Sequence, residues 1–160
     1  MLDGPAVVNA IESAGFTHVV WIPDSHLGTW DAAFVKSRLK LIRPTREGES
    51  VALAAGLLLG GATPLVIVQC TGFFEAGDAV RNVVHDMGLP LKILVGVRSL
   101  HAFQAGKSND NCPRFAEPLV KAWEFPVTWF DPFNATAAEC NDTLQSLAKA
   151  TSATALLWVE

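Results

Sequence analysis

Residues 47–70 read EGESVALAAGLLLGGATPLVIVQC, and this stretch decides the fold. No residue from Ser50 to Phe74 is charged, so the run is long enough to cross a bilayer. Gly60-Gly61 and Pro64 interrupt it, however, and its flanks carry Glu47, Glu49 and Glu75, with no cluster of positive charge to set an orientation. The first half reads as a helix from Glu47 to Gly60, and PLVIVQ as a short buried strand. A helix feeding a continuous apolar strand belongs to an α/β domain, not to a membrane.

The same alternation extends in both directions. Upstream lie a helix over residues 4–14, closed by Gly15, the apolar run THVVWIP, a helix from Leu27 to Lys36 and the strand LKLIR. Downstream come a helix from Glu75 to Met87, the strand LKILVGV, a loop from Ser99 to Pro113 and a helix from Arg114 to Trp123. The strand PVTWF, a helix from Asn134 to Ala150 and the strand ATALLWV follow. Six strands separated by helices, several of them continuous apolar runs, predict a three-layer α/β/α domain over residues 1–160 with a six-stranded, mostly parallel sheet. Ligands in such sheets bind at the carboxyl ends of the strands. The segments to read for chemistry are therefore IPDSHLG (22–28), RPTREGE (43–49), QCTGFFEAGD (69–78) and VRSLHAF (97–103).

Composition removes several function classes. Half of the residues are hydrophobic and 18% are charged, which excludes a disordered chain. A net charge of −4 without a basic cluster argues against a nucleic-acid partner. Cys70, Cys112 and Cys140 form no CxxC pair, so neither a disulfide framework nor a metal site is expected, and a reduced cytoplasmic location is the simplest reading. The opening MLDGPAVVNAIESAG has an acid where a targeting segment would carry bases.

Glu47 and Glu49 open the central helix, where the helix dipole favours acids. Residues two apart point to roughly opposite sides of a helix, so at most one of them can face a cleft at the strand ends. Gly48, Ala52, Gly56 and Gly60 then form a stripe of small residues at four-residue spacing. Glycine inside a helix costs about 1 kcal/mol relative to alanine, and close approach of another backbone is the usual offset. The stripe packs either on its own sheet or against a partner subunit. The second arrangement would put Glu47 at a subunit boundary.

Glu47-Gly48-Glu49-Ser50-Val51-Ala52-Leu53-Ala54-Ala55-Gly56 resembles the segment around the cofactor-activating glutamate of the thiamine diphosphate-dependent 2-oxo acid decarboxylases. The likeness is greatest to the alpha-subunit type of the sulfopyruvate and phosphonopyruvate decarboxylases. Ile22-Pro23-Asp24-Ser25 resembles that family's Val-Pro-(Asp or Cys)-Ser, and Val68-Gln69-Cys70-Thr71-Gly72 resembles its Gln-Asn-Ser-Gly strand end. Leu89-Pro90-Leu91 with Val95 to Arg98 resembles the strand that follows. The turn at residues 71–78 is two residues longer than the family's, and Arg98-Ser99-Leu100-His101 replaces its Arg-Gly.

The resemblance implies a pyrimidine-binding domain. Glu47 would hydrogen-bond the cofactor's aminopyrimidine and promote loss of the thiazolium proton, with burial raising its pKa. Gln69, Thr71 and Gly72 would lie beside the cofactor ring, and Asp24, Ser25, His26 and His101 would meet the substrate. That substrate would be a small acidic 2-oxo acid, yielding an aldehyde and carbon dioxide. Gly77-Asp78 lacks the spacing of the family's diphosphate site and reads as a helix start. Mg2+ and the diphosphate of thiamine diphosphate would therefore be bound by a companion beta subunit in a hetero-oligomer. His26 and His101 can equally be read as exposed loop histidines, and Cys70 as a buried core thiol. A carboligase half-domain of acetolactate synthase type and a non-catalytic partner subunit are the competing readings.

Overall fold

The computed structural model describes all 160 residues. The strands are β1 (His18–Trp21), β2 (Lys40–Ile42), β3 (Pro64–Gln69), β4 (Lys92–Val97), β5 (Val127–Phe130) and β6 (Thr154–Val159). They form one sheet in the order β2-β1-β3-β4-β6-β5, with every pairing parallel. The eight α-helices are α1 (Gly4–Ser13), α2 (Asp31–Lys36), α3 (Glu47–Leu59), α4 (Cys70–Glu75), α5 (Gly77–Arg81), α6 (Leu100–Gln104), α7 (Cys112–Ala122) and α8 (Ala137–Lys149).

Side chains alternate across a strand, and the two cores divide accordingly. Val20, Val66, Val68, Ile93, Val95, Ala155 and Leu157 pack on the face covered by α3, α4, α5 and α7. Val19, Trp21, Leu65, Ile67, Leu94, Leu156 and Trp158 pack on the other, against Val7 and Ile11 of α1, Phe34 of α2 and Leu144 and Leu147 of α8. Because both faces are covered, the strands read as unbroken apolar runs. No helix is long and apolar enough to cross a membrane.

Local chemistry fixes the helix starts. The Asp3 carboxylate accepts from the Ala6 N–H at 2.9 Å, with Pro5 in the first turn. Thr136 and Glu139 form a reciprocal capping box, so α8 begins three residues later than the pattern from Asn134 suggested. At the amino end of the sheet Lys92 is buried, its ammonium donates to the Ser152 carbonyl, and burial lowers its pKa.

Three expectations change. Residues 70–75, read as a strand-end loop, form α4, and α5 follows only at Gly77. The helix expected over residues 75–87 thus becomes α5 and a π turn at Asn82–Asp86. The loop at residues 99–113 contains α6, entered through Ser99 at φ 60°. A glycine inside α4 and a left-handed serine before α6 hid these short helices, because both weaken a helical pattern.

Candidate active site

Strand β1 lies between β2 and β3, so successive connections leave it in opposite directions. Loops diverge at such a switch point and open a crevice beyond the carboxyl ends. The segments after β1, β2 and β3 carry Asp24–His26, Glu47 and Gln69–Gly72 to this edge.

The two acids at the start of α3 have different roles. Glu49 folds back and accepts from the Thr45 N–H at 2.8 Å and the Thr45 hydroxyl at 2.9 Å. Those bonds hold its pKa below the usual carboxylate value. Glu75, at the end of α4, accepts from the Gly48 N–H at 2.9 Å and from Arg46 Nε at 3.0 Å. The entry to α3 is therefore tied to α4. The Glu47 carboxyl makes no hydrogen bond within the chain, although every other acid around it is engaged. It lies against the backbone of Gly72, where an added Cβ would stand 2.3 Å from Glu47 Cγ and 2.6 Å from Oε1. Any side chain at position 72 would therefore displace the acid packed on it. Glu47 is half-buried, so this chain alone does not enclose it as the expected apolar cleft would.

Gln69 connects this edge to its neighbours. Its Oε1 accepts from the Thr71 hydroxyl at 3.1 Å and from Arg98 Nη1 at 3.5 Å, and its Nε2 donates to Glu160 Oε2 at 3.5 Å. Arg98 is held in turn by Asp110, at 2.6 Å from Nε. Asp24 Oδ1 accepts from the N–H groups of His26 and Leu27, each at 2.8 Å, shaping the turn that presents Ser25 and His26. Asp24 Oδ2 is buried without a partner.

His101 lies elsewhere. Its Nε2 meets Asp131 Oδ2 at 3.2 Å and its ring stacks obliquely on Phe133, in a groove with Trp129 and Arg114. Asp131 follows β5, three strand spacings from β3, or about 14 Å across the sheet. Glu47, Gln69, Thr71 and Gly72 are brought together, Asp24, Ser25 and His26 flank them, and His101 belongs to the β5 edge.

Sequence reading missed Glu160. It directly follows β6, is 8% exposed, and rests on Gly96, where an added Cβ would meet its carboxyl. Burial pushes its pKa up to about 8, and the nearby charge of Asp24 adds to the rise. The Gln69 hydrogen bond and Arg98 oppose it. An acid immediately after an apolar strand, at the carboxyl edge, was the available signal. Nowhere do three His, Cys, Asp or Glu side chains converge as a metal site.

The chain aligns with a protein from Mycobacterium smegmatis described as a thiamin diphosphate-dependent enzyme. The TM-score is 0.74 and the identity 17%, over 99% of this chain and 31% of that one. It shares its fold with a domain of thiamine diphosphate-dependent enzymes. A 4-hydroxybenzoylformate decarboxylase from Rhodococcus jostii, also thiamine diphosphate-dependent, aligns with a TM-score of 0.68 and 18% identity, over 99% of this chain and 30% of that one. The chain therefore spans about three tenths of the length of these solved structures. No protein-family model and no curated protein matches it by sequence.

Proposed function

We propose that the chain is the pyrimidine-side domain of a thiamine diphosphate-dependent decarboxylase acting on a 2-oxo acid, working with a companion subunit. One observation carries the reading: the unbonded carboxyl of Glu47, seated on Gly72 at the switch point of the sheet. A carboxyl that the chain positions but does not satisfy is free to hold a proton at a ring nitrogen of a bound group. Gln69 and Thr71 are mutually oriented beside it, and Gly72 keeps the floor flat. These residues fit the aminopyrimidine side of the cofactor.

When bound, thiamine diphosphate supplies the electron sink for loss of carbon dioxide. Glu47 holds and returns a proton at the ring nitrogen, and Gly72 fixes where that carboxyl sits. The companion subunit covers the half-buried Glu47, excludes water, and binds Mg2+ and the diphosphate. Ser25 and His26 border the space for the substrate. The acidic substrate tail implied by the sequence resemblance gains no support from this space, which Glu160 lines and no lysine or arginine does.

Glu47→Gln, assayed in the assembled complex, keeps the fold and lowers turnover by about 100-fold or more, the usual scale for losing an acid–base group. Wild-type turnover in that variant would refute the role. A coupled hydroxyketone in place of an aldehyde would identify a carboligase instead.

A further inference from the structure

Cys70 begins α4 directly after β3, and Cys112 begins α7. The two helices pack together on one face of the sheet, where Cys70 belongs to the core and Cys112 rests against it. A chain of polar contacts brackets the pair. Gln69, beside Cys70, accepts from Arg98 Nη1 at 3.5 Å, and Arg98 Nε donates to Asp110 Oδ2 at 2.6 Å. Asp110 Oδ1 in turn accepts from the Cys112 N–H at 3.0 Å. Inside this bracket the thiols meet: the Cys70 S–H donates to the Cys112 sulfur, while the Cys70 sulfur accepts from the Arg98 N–H. Cys70 is fully buried, whereas Cys112 is half-buried and within reach of solvent. Cys140 lies in the core on the opposite face of the sheet and meets neither.

We propose that Cys70 and Cys112 form an oxidation site that a peroxide closes reversibly to a disulfide, with Cys112 reacting first and Cys70 resolving. The Cys112 thiolate attacks a peroxide oxygen: an S–O bond forms, the O–O bond breaks, and the departing hydroxide takes up a proton and leaves as water. The Cys70 sulfur then attacks the Cys112 sulfur. The S–S bond forms, the S–O bond breaks, and a second water leaves with the Cys70 proton. Both sulfurs are oxidised and one peroxide is reduced to two waters. The order follows from access, and from the position of Cys112 at the start of α7, where the helix dipole favours a thiolate. Burial holds the Cys112 pKa above its ordinary value and Asp110 adds to the rise, while the Cys70 thiol and Arg98 work against it. The pair therefore reacts slowly at neutral pH and faster as pH rises. The charged groups facing it are Arg98, Asp110 and Glu160. The bridge joins the start of α4, and with it Thr71 and Gly72, to α7. The inference rests on the two cysteines alone. Its test reads covalent state rather than turnover, so it can fail while the reading of Glu47 stands, and the converse also holds.

The test treats the full, reduced chain with hydrogen peroxide, alkylates the remaining thiols in denaturant and maps the peptides by mass spectrometry. Two of the three thiols are expected to disappear, with an intrachain Cys70–Cys112 peptide pair lighter by two hydrogens and full recovery in dithiothreitol. The rate rises about tenfold from pH 7 to pH 8, because the thiolate is the reacting form. Cys140→Ser leaves the bridge and its rate unchanged. Cys70→Ala leaves Cys112 as a sulfenic acid that dimedone traps, and Cys112→Ala slows oxidation of Cys70 by about tenfold or more. The wild-type peptide map decides by itself if Cys70→Ala does not fold. Oxidation of Cys112 straight to the sulfinic acid without a bridge, a bridge that involves Cys140 or a second chain, or an undiminished rate at Cys70 in the folded Cys112→Ala variant would overturn the proposal.

Discussion

The Glu47 side chain fills the space beside the Gly72 Cα that a β-carbon would need, with only 2.3 Å between that position and Glu47 Cγ. The two positions are therefore one unit, although they lie on different helices. Gly72→Ala forces Glu47 out of place, costing about 1–3 kcal/mol through overcrowding and, on the proposed function, reducing turnover at least tenfold. Glu47→Ala should relieve the crowding. The Gly72→Ala/Glu47→Ala double variant is then more stable than the sum of the single changes predicts, as chemical denaturation of all four proteins would reveal. Simple additivity would show that the contact carries no strain.

Glu160 makes stability depend on pH. Its folded-state pKa, about 8, lies above the ordinary 4.5, so the folded chain holds a proton that the unfolded chain has lost between these values. This contribution is fully present below about pH 4.5 and is lost as pH rises through about 8, on the order of a few kcal/mol in all. Thermal melts at pH 6 and pH 8.5 should differ more for the wild type than for Glu160→Gln. Parallel pH profiles for the two proteins would contradict the burial of this carboxyl.

Thiol labelling should rank the cysteines by exposure. Burial pushes the Cys70 thiol up to about 12 and Cys140 up to about 11, whereas Cys112 is only half-buried. Iodoacetamide in native buffer modifies Cys112 at least tenfold faster than the other two, because the thiolate is the nucleophile. Mass spectrometry of a time course reads the order, and Cys70 reacting as fast as Cys112 would count against the packing of α4.

Gly56 faces open space on α3, with nothing within 4 Å of an added Cβ, while Leu59 nearby is 68% exposed. Gly56→Ala therefore stabilises the isolated chain by about 0.5–1 kcal/mol. If a companion subunit packs on this stripe, the same substitution weakens assembly, measurable as a higher Kd by sedimentation. A variant that is stabilised yet assembles normally places the interface elsewhere.

The sheet was legible because its strands are buried on both faces: PLVIVQ and ATALLWV admit few other readings. Strand order was not, since β6 inserts between β4 and β5 through a pairing with β4 that skips the intervening strand. At the site, the pattern of Glu47 and Glu49 showed that only one could face a cleft, but not which. The Thr45 bonds occupy Glu49 and leave Glu47 as the unbonded acid, and they depend on a side chain folding back by one helical turn. Glu160 escaped notice because its one local mark, an acid directly after an apolar strand, does not show that Gln69 of β3, Gly96 of β4 and Asp24 after β1 close around it. His101 follows β4, the neighbour of β3, but α6 turns it away to Asp131 at the β5 edge, which the sequence does not show.

The sheet ends on short strands: β2 has three residues and β5 four. Pro44 follows the first and Pro126 precedes the second, and Lys40 and Arg43 add charge at the β2 margin. A neighbouring chain approaching side-on finds few free amides to template on, so edge-to-edge aggregation is discouraged. Orderly association is thereby directed to the helical faces or to the loop-bearing rim.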